Sequence, residues 1–277
     1  MASHNGFKRN PLMVMAIPAP VQQAAFDLVS TLVGSLDAAG ETLRDGDVLA
    51  VSSKYAAIAE GRVIALDDLV ISPEAADLAE RYQMNPRIAQ LVVQEADHIF
   101  GGIPGFLLTF KDGILSPNAG IDRSNLPGGF AVLFPKDPYA TAEALRQAIR
   151  ERLGADIGVI LTDSWLMPGR LGTTGVALAT AGFRPIQDER GKADLFGNPM
   201  IVTQRGIADQ ICAAAQLVMG ERDEATPFVI VRGAPVTIED LDLSVADVAI
   251  DWPMCIYVQS LGDGRLEPAA VISRNRS

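Results

Sequence analysis

The chain has 277 residues, 48% of them hydrophobic, with 34 acidic against 23 basic side chains and a formal net charge of −11. That is enough apolar material for one large core or two smaller ones, while the negative balance argues against a nucleic-acid partner, whose phosphates need a basic face. Two cysteines and two histidines offer neither a disulfide framework nor zinc spacing, so carboxylates and backbone groups must carry most of any chemistry.

Taken in chain order, residues 1–14 lack the apolar stretch of a signal peptide and are expected to form a disordered leader. Met13–Ile17 is a short apolar run stopped by Pro18 and Pro20, and helical spacing follows from Gln22 to Leu36, so this part reads strand, turn, helix. Asp45-Gly46-Asp47 is a turn signal, and Val48–Ser53 is a buried strand giving onto a loop with two serines and Lys54. Ser72-Pro73-Glu74 opens a pair of short helices broken near Pro86. Gly101 and Gly102 read as turn glycines, and the stretch around Asp112-Gly113 as a hairpin.

Phe130–Phe134 is another buried strand, and Asp137-Pro138 opens a helix to about Leu153. Ile157–Leu161 is a strand ending in Thr162-Asp163-Ser164, which sets a carboxylate at a strand C-terminus, where ligands of layered α/β folds bind. Thr173–Gly182 reads as a strand of small residues, Asp188–Gly197 as a charged loop, Thr203–Met219 as a helix closed by Gly220, and Phe228–Arg232 as a buried strand. Cys212 and Cys255, in a helix-like and a strand-like run, are expected to be buried thiols. No repeat or linker interrupts the alternation. The fold expected is α/β (mixed α+β), one unit over 15–277 with mixed sheets flanked by helices and room for two lobes. No apolar run reaches the length of a membrane span, and a cytoplasmic protein is expected.

The densest polar chemistry is Asn118-Ala-Gly-Ile-Asp-Arg-Ser-Asn125. Gly120 lets backbone approach a ligand, Asp122 offers hard oxygens to a divalent cation, and Arg123, Ser124 and Asn125 can donate to phosphate. The rival reading is an Asx-rich turn that satisfies only its own backbone. There is no Walker loop and no dinucleotide fingerprint, so phosphate must be held otherwise. The candidates are Ser53-Lys54, the Asp122–Asn125 loop, Asp163-Ser164, Arg170-Leu-Gly-Thr-Thr174 and Gly220-Glu221, each with a bland alternative as cap, turn or solvated charge. Asp122, Asp163 and Glu221 each follow or end a regular element, and if they converge a cation would reconcile an acidic chain with an anionic ligand. Asp97-His98 and the cluster Glu239, Asp240, Asp242 read as solvated polar face.

An ordered set of motifs then resembles the coenzyme F-420-0:L-glutamate (γ-glutamyl) ligases, the CofE family: Ile17-Pro18, Ser52-Ser-Lys54 with Ala59-Glu-Gly-Arg62, the Asn118–Asn125 stretch, Asp163-Ser-Trp165 with Gly172-Thr-Thr-Gly-Val176, Asp194-Leu-Phe-Gly197, Val202-Thr203, Ala208-Asp209, Met219-Gly220 and Val231-Arg-Gly233. The resemblance implies a CofE-like fold, an intertwined homodimer, and glutamylation of a deazaflavin precursor through an acyl phosphate, with GTP as co-substrate. Mg or Mn and a monovalent cation such as K are the implied ions; L-glutamate and the precursor are the implied substrates. It makes Asp122, Asp163, Ser164 and Glu221 metal ligands, with Glu221 where the family usually has Gln. Ile17, Pro18, Ser53, Lys54, Asn125, Arg170, Met219 and Gly220 become nucleotide contacts. Two departures stand out: Ile58 replaces a family Lys, and Leu166-Met-Pro-Gly-Arg170 replaces Gly-Arg-Pro-Trp-Arg. They keep two other readings open, a paralogue with a different acidic acceptor and a non-catalytic nucleotide-binding homologue.

Overall fold

The computed structural model describes residues 11–261. From the N-terminus, β1 (Met13–Ile17) leads to α1 (Leu28–Ala39), β2 (Val48–Ser52) and α2 (Ser53–Ala59). An excursion follows through β3 (Val63–Ala65), α3 (Pro73–Arg81), α4 (Pro86–Glu95), β4 (His98–Ile103), β5 (Phe106–Lys111), β6 (Ile114–Pro117) and β7 (Phe130–Val132). The chain then returns by α5 (Pro138–Leu153) to β8 (Gly158–Leu166) and β9 (Thr173–Ala181), and continues through β10 (Ile186–Asp188), β11 (Gln204–Gly206), α6 (Ile207–Met219), β12 (Phe228–Arg232) and α7 (Ile256–Leu261).

The central sheet has the order β1-β12-β2-β8-β9, with β2 and β8 parallel and the other neighbours antiparallel. Strand alternation divides its side chains between two cores. Leu49, Val51, Val159, Leu161, Phe228 and Ile230 face the α1 and α5 side, with Leu32, Leu145 and Ile149. Val48, Ala50, Ile160, Val229 and Val231 face α6, with Ile211 and Cys212. Both faces are covered, which explains the near-continuous apolar runs of β2 and β12. A separate cluster of Leu66, Ile88, Leu91, Val92, Leu107 and Leu133 lies under the excursion, where β4, β5 and β6 form a meander and β3 pairs with β7. Local signals agree with these elements: Asp27, Ser72, Asn85 and Asp137 cap their helices through side-chain oxygens, and Gly40 and Gly154 close α1 and α5 in the left-handed region.

The structure bears out the mixed α/β class and revises several local readings. α1 starts at Leu28, six residues later than expected, with Asp27 as its N-cap. Of the expected leader, Met13 and Val14 already belong to β1, and residues 1–10 lie outside the described residues, as do residues 262–277 of the expected 15–277 unit. Ser53 and Lys54 open α2 instead of forming a loop. Gly101 and Gly102 lie inside β4: the register slips past Phe100, and a side chain on Gly102 would meet Phe106 O at 2.0 Å, so these glycines serve a bulge and a close strand approach, not a turn. Cys255 is only half-buried and lies between a short turn of 3-10 helix and α7, so the strand-like reading fails there. Among the described residues no helix is long and apolar enough to cross a membrane.

Asp240 is exposed, as the sequence suggests, but it is ion-paired. It meets Arg146 Nη2 at 2.7 Å and Arg150 Nη1 at 3.0 Å, fixing the segment after β12 to α5. The Arg146 side chain is 2% exposed, also meets Asp156 and Glu143, and donates Nε–H to Ile157 O. Gly182 leaves room for it, since a Cβ there would stand 2.4 Å from Arg146 Nε. Trp252, further along, packs on Phe100 and Phe110 with ring centroids 5.1 Å apart in each case. Arg146→Ala removes the buried guanidinium that Glu143, Asp156 and Asp240 share, leaving the last two to the more exposed Arg150. It is expected to cost about 3 kcal/mol in urea unfolding and to speed proteolysis between Ala234 and Trp252; an unchanged midpoint contradicts this anchoring.

Candidate active site

The parallel ladder runs from Val48 opposite Gly158 to Ser52 opposite Thr162. There β2 stops and α2 begins at the next residue, whereas β8 continues to Leu166 paired with β9. The end of the sheet is therefore open beside the C-terminal ends of two parallel strands, the place where α/β folds leave a ligand crevice. Asp163 and Ser164 sit on the overhang, inside β8 and not after it, and alternation sends them opposite ways. Asp163 turns toward α2: Ser53 Oγ donates to its Oδ2 at 3.0 Å and the Ser164 N–H to its Oδ1 at 2.7 Å. Ser164 turns toward the end of α6, where its Oγ donates to Glu221 Oε1 at 2.8 Å. Gln216 Nε2 at 2.9 Å and Thr173 Oγ1 at 3.3 Å reach the same oxygen.

The Asn118–Asn125 loop supplies the opposite wall. Asn118, Ala119 and Gly120 all have positive φ, of 49°, 52° and 73°, a costly run that the surroundings impose. Asn118 Oδ1 accepts the Leu107 N–H, Thr109 Oγ1 accepts the Ala119 N–H, and a Cβ at Gly120 would stand 2.1 Å from the Phe134 ring. Asp122 exchanges both backbone hydrogen bonds with Val132, which leaves its side chain to face the crevice. Lys54 Nζ bridges Asp122 Oδ2 and Ser124 Oγ, and Ser124 N–H donates to Asp122 Oδ1 at 2.7 Å.

The two carboxylates differ electrostatically. Burial pushes Asp122 up, but the Lys54 charge and the hydrogen bonds from Lys54 and Ser124 outweigh it, and its pKa falls below the usual range. Burial also dominates at Asp163, where the Asp122 charge adds to it and the Ser164 and Ser53 hydrogen bonds only partly compensate, so the pKa rises to about 6. Together these groups border a cavity of about 440 Å³ whose wall includes Lys54, Ile58, Asp122, Asn125, Asp163, Ser164, Gln216 and the segment from Met219 to Pro227. Its volume suits a small molecule. A larger cleft of about 1200 Å³ lies away from this chemistry, between the meander, the start of α5 and residues 241–254.

Of the residues singled out from sequence, Asp122, Asp163, Ser164, Glu221, Lys54, Asn125, Met219 and Gly220 line this cavity, and Ser53 stands behind Asp163. Ile17 is 1% exposed in the core and Pro18 does not line the cavity, although Ala19, Pro20, Val21 and Gln22 do. Arg170 sits exposed in the β8–β9 turn, outside the lining. Ile58 is 4% exposed and packs with Ala57 and Val132. Sequence reasoning missed Gln216; its signal was its place one turn before Gly220 on the apolar helix. Among the described residues, no three His, Cys, Asp or Glu side chains gather as a ready metal cage. Asp122 and Asp163 nonetheless offer the hard oxygens, one or two carboxylates, that Mg accepts when waters and phosphate oxygens complete its shell.

The model of a family described as F420-0:Gamma-glutamyl ligase matches residues 16–233. The chain is 40% identical over 208 residues to a coenzyme F420:L-glutamate ligase of Methanopyrus kandleri, covering 75% of this chain and 82% of that one. It is 37% identical over 217 residues to the ligase of the same name from Methanothermobacter thermautotrophicus (78% and 86% covered), and 39% over 212 residues to that of Haloarcula marismortui (74% and 80%). Residues 234–261, with the Asp240 anchor and Trp252, lie beyond the family match.

The raised Asp163 pKa has a measurable consequence. The folded state holds this proton up to about pH 6, whereas the reference carboxyl releases it near 3.8. Ionisation therefore destabilises the fold as pH rises through that window. In EDTA, Asp163→Asn should gain stability relative to wild type between pH 4 and 7, by on the order of 2–3 kcal/mol. A difference that stays flat with pH contradicts the burial of this charge.

Proposed function

The chain belongs to the F420-0:gamma-glutamyl ligase family, and from that premise we propose that it joins L-glutamate to coenzyme F-420-0, driven by GTP and a divalent cation. The observation that carries this reading is the convergence of Asp122, Asp163, Ser164 and Glu221 on one cavity at the open end of β2 and β8. Asp223 and Glu224 add acid to a wall whose basic side chains are Lys54 and Arg222. A polyphosphate can enter such a wall only with cations that neutralise both sides. Asp122 and Asp163, with Ser164 and Glu221, would hold Mg or Mn, which when bound supplies charge neutralisation to the transferring phosphoryl group.

The chain's own groups would then act as follows. Lys54 gives a point charge to phosphate oxygens, Asn125 offers amide donors, and the turn from Gly220 to Thr226 borders the nucleotide. Ser53, which is 3% exposed, keeps the Asp163 carboxylate in one orientation. The γ-phosphoryl group passes to the acceptor carboxylate and leaves GDP. The glutamate amine attacks the acyl carbon, the amide bond forms, the amine proton passes to solvent, and orthophosphate departs with the bonding electrons of the C–O bond. A homodimer in the cytoplasm belongs to the same proposal: Leu171, Leu195, Phe196 and Val202 are almost wholly exposed apolar side chains, of the kind that a second copy would cover. A monovalent ion such as K is a further expected component. A second reading, a paralogue acting on another acidic acceptor, is favoured by the apolar Ile58 in the cavity wall.

Purified protein with GTP, Mn or Mg, L-glutamate and F-420-0 is expected to give the glutamylated product, GDP and orthophosphate. Product from a different acidic acceptor alone would favour the paralogue, and no product with either GTP or ATP would contradict the ligase reading. Asp122→Asn and Asp163→Asn should each lower kcat by roughly 100-fold or more in folded protein, and a variant that keeps wild-type turnover removes that residue from the machinery.

A further inference from the structure

Ala208-Asp209 and Gly175–Val176 are sequence features that the site above does not use, yet they meet along one helix. α6 lies against β9 and touches the hairpin at three successive levels. Near its start, Asp209 Oδ1 accepts the Ala177 N–H at 2.9 Å. At its middle, Gly175 approaches so closely that a Cβ would stand 2.4 Å from Cys212 O. Past its end, Glu221 takes Thr173 and Ser164. Ala177 is also where the hairpin changes register: Leu161 faces Ala179, but Thr162 faces Ala177, so Leu178 is the extra residue of a bulge. From that bulge onward, β8 presents Asp163 and Ser164. A bulge re-aims the residues beyond it and leaves its own ladder weakened, so whatever holds Ala177 sets their direction.

We propose that Asp209 is a positioning residue: its carboxylate fixes the β9 bulge against α6 and thereby sets the spacing between Asp163-Ser164 on the strand and Glu221 at the helix end. This rests on the reading of the strand-end cavity as a cation and phosphate site. Asp209 does not line that cavity, so it acts through the hairpin and not on a ligand. What Asp209 contributes to the bulge is a hydrogen-bond acceptor, which an amide oxygen can replace.

The test titrates Mn²⁺ into the full chain, following free Mn²⁺ by electron paramagnetic resonance, and follows amide hydrogen exchange in the same variants. Asp209→Ala is expected to weaken Mn²⁺ binding by about tenfold, as loss of a support behind a metal ligand does, and to speed exchange in residues 162–166 and 173–177 while β2 and β12 stay protected. Asp209→Asn should remain within about twofold of wild type on both measures. Wild-type binding and exchange in Asp209→Ala would overturn the proposal, as would an Asp209→Asn defect equal to that of Asp209→Ala. If the wild-type chain binds no Mn²⁺, the cation reading fails, and the exchange pattern still decides whether Asp209 holds the hairpin.

Discussion

The candidate site depends on one constraint, the parallel ladder between β2 and β8 that ends at Ser52 and Thr162. Ending β2 there while β8 runs on creates an overhang with no neighbour on one side. Because α2 starts at once, Ser53 and Lys54 stand on a rigid element beside the overhang instead of on a loop. The ordered partner of a polar strand end is then a side chain 110 residues away, Ser53 against Asp163. Every other part of the site attaches to this edge: the clamped loop brings Asp122 to Lys54, and α6 brings Glu221 to Ser164.

The electrostatic state of the pair follows from that geometry. Asp122 has a cation within reach and holds its charge easily; Asp163 is deeper, and the hydrogen bonds from Ser164 and Ser53 and the charge of Lys54 do not offset its burial and the like charge of Asp122. Two neighbouring acids with displaced affinities for a proton are a common mark of functional sites. A divalent cation between them would remove the penalty at Asp163 and complement an acidic wall. The same cavity would thus reconcile a chain of net charge −11 with the anionic co-substrate proposed for it.

Much of this was legible in the sequence because residue type and element position carry chemistry. Asp122 and Asp163 could be singled out as hard-oxygen donors beside predicted strands, and Gly220 as a helix stop. Convergence was not legible, because it depends on β8 lying next to β2, and only the sheet order decides that. Ser52-Ser53-Lys54 read as a loop for a similar reason: serines favour turns when their hydroxyls bond locally, but Ser53 bonds to Asp163. Asp240 is solvated as expected, but its ion pair was not legible because Arg146 lies 94 residues away. Gly101 and Gly102 read as a turn because the backbone freedom that suits a turn also suits a bulge. The motif Ala208-Asp209 carried no local meaning at all until α6 was seen along β9.

The measurement that reaches the central claim most directly is anomalous diffraction from crystals grown with Mn²⁺ and a non-hydrolysable GTP analogue. The account predicts Mn²⁺ bound by carboxylate oxygens of Asp122 and Asp163 at about 2.1 Å, the distance Mg keeps, with analogue phosphates completing its shell. Mn²⁺ and nucleotide found elsewhere, with Asp122 still on Lys54 and Asp163 still on Ser53, would contradict it.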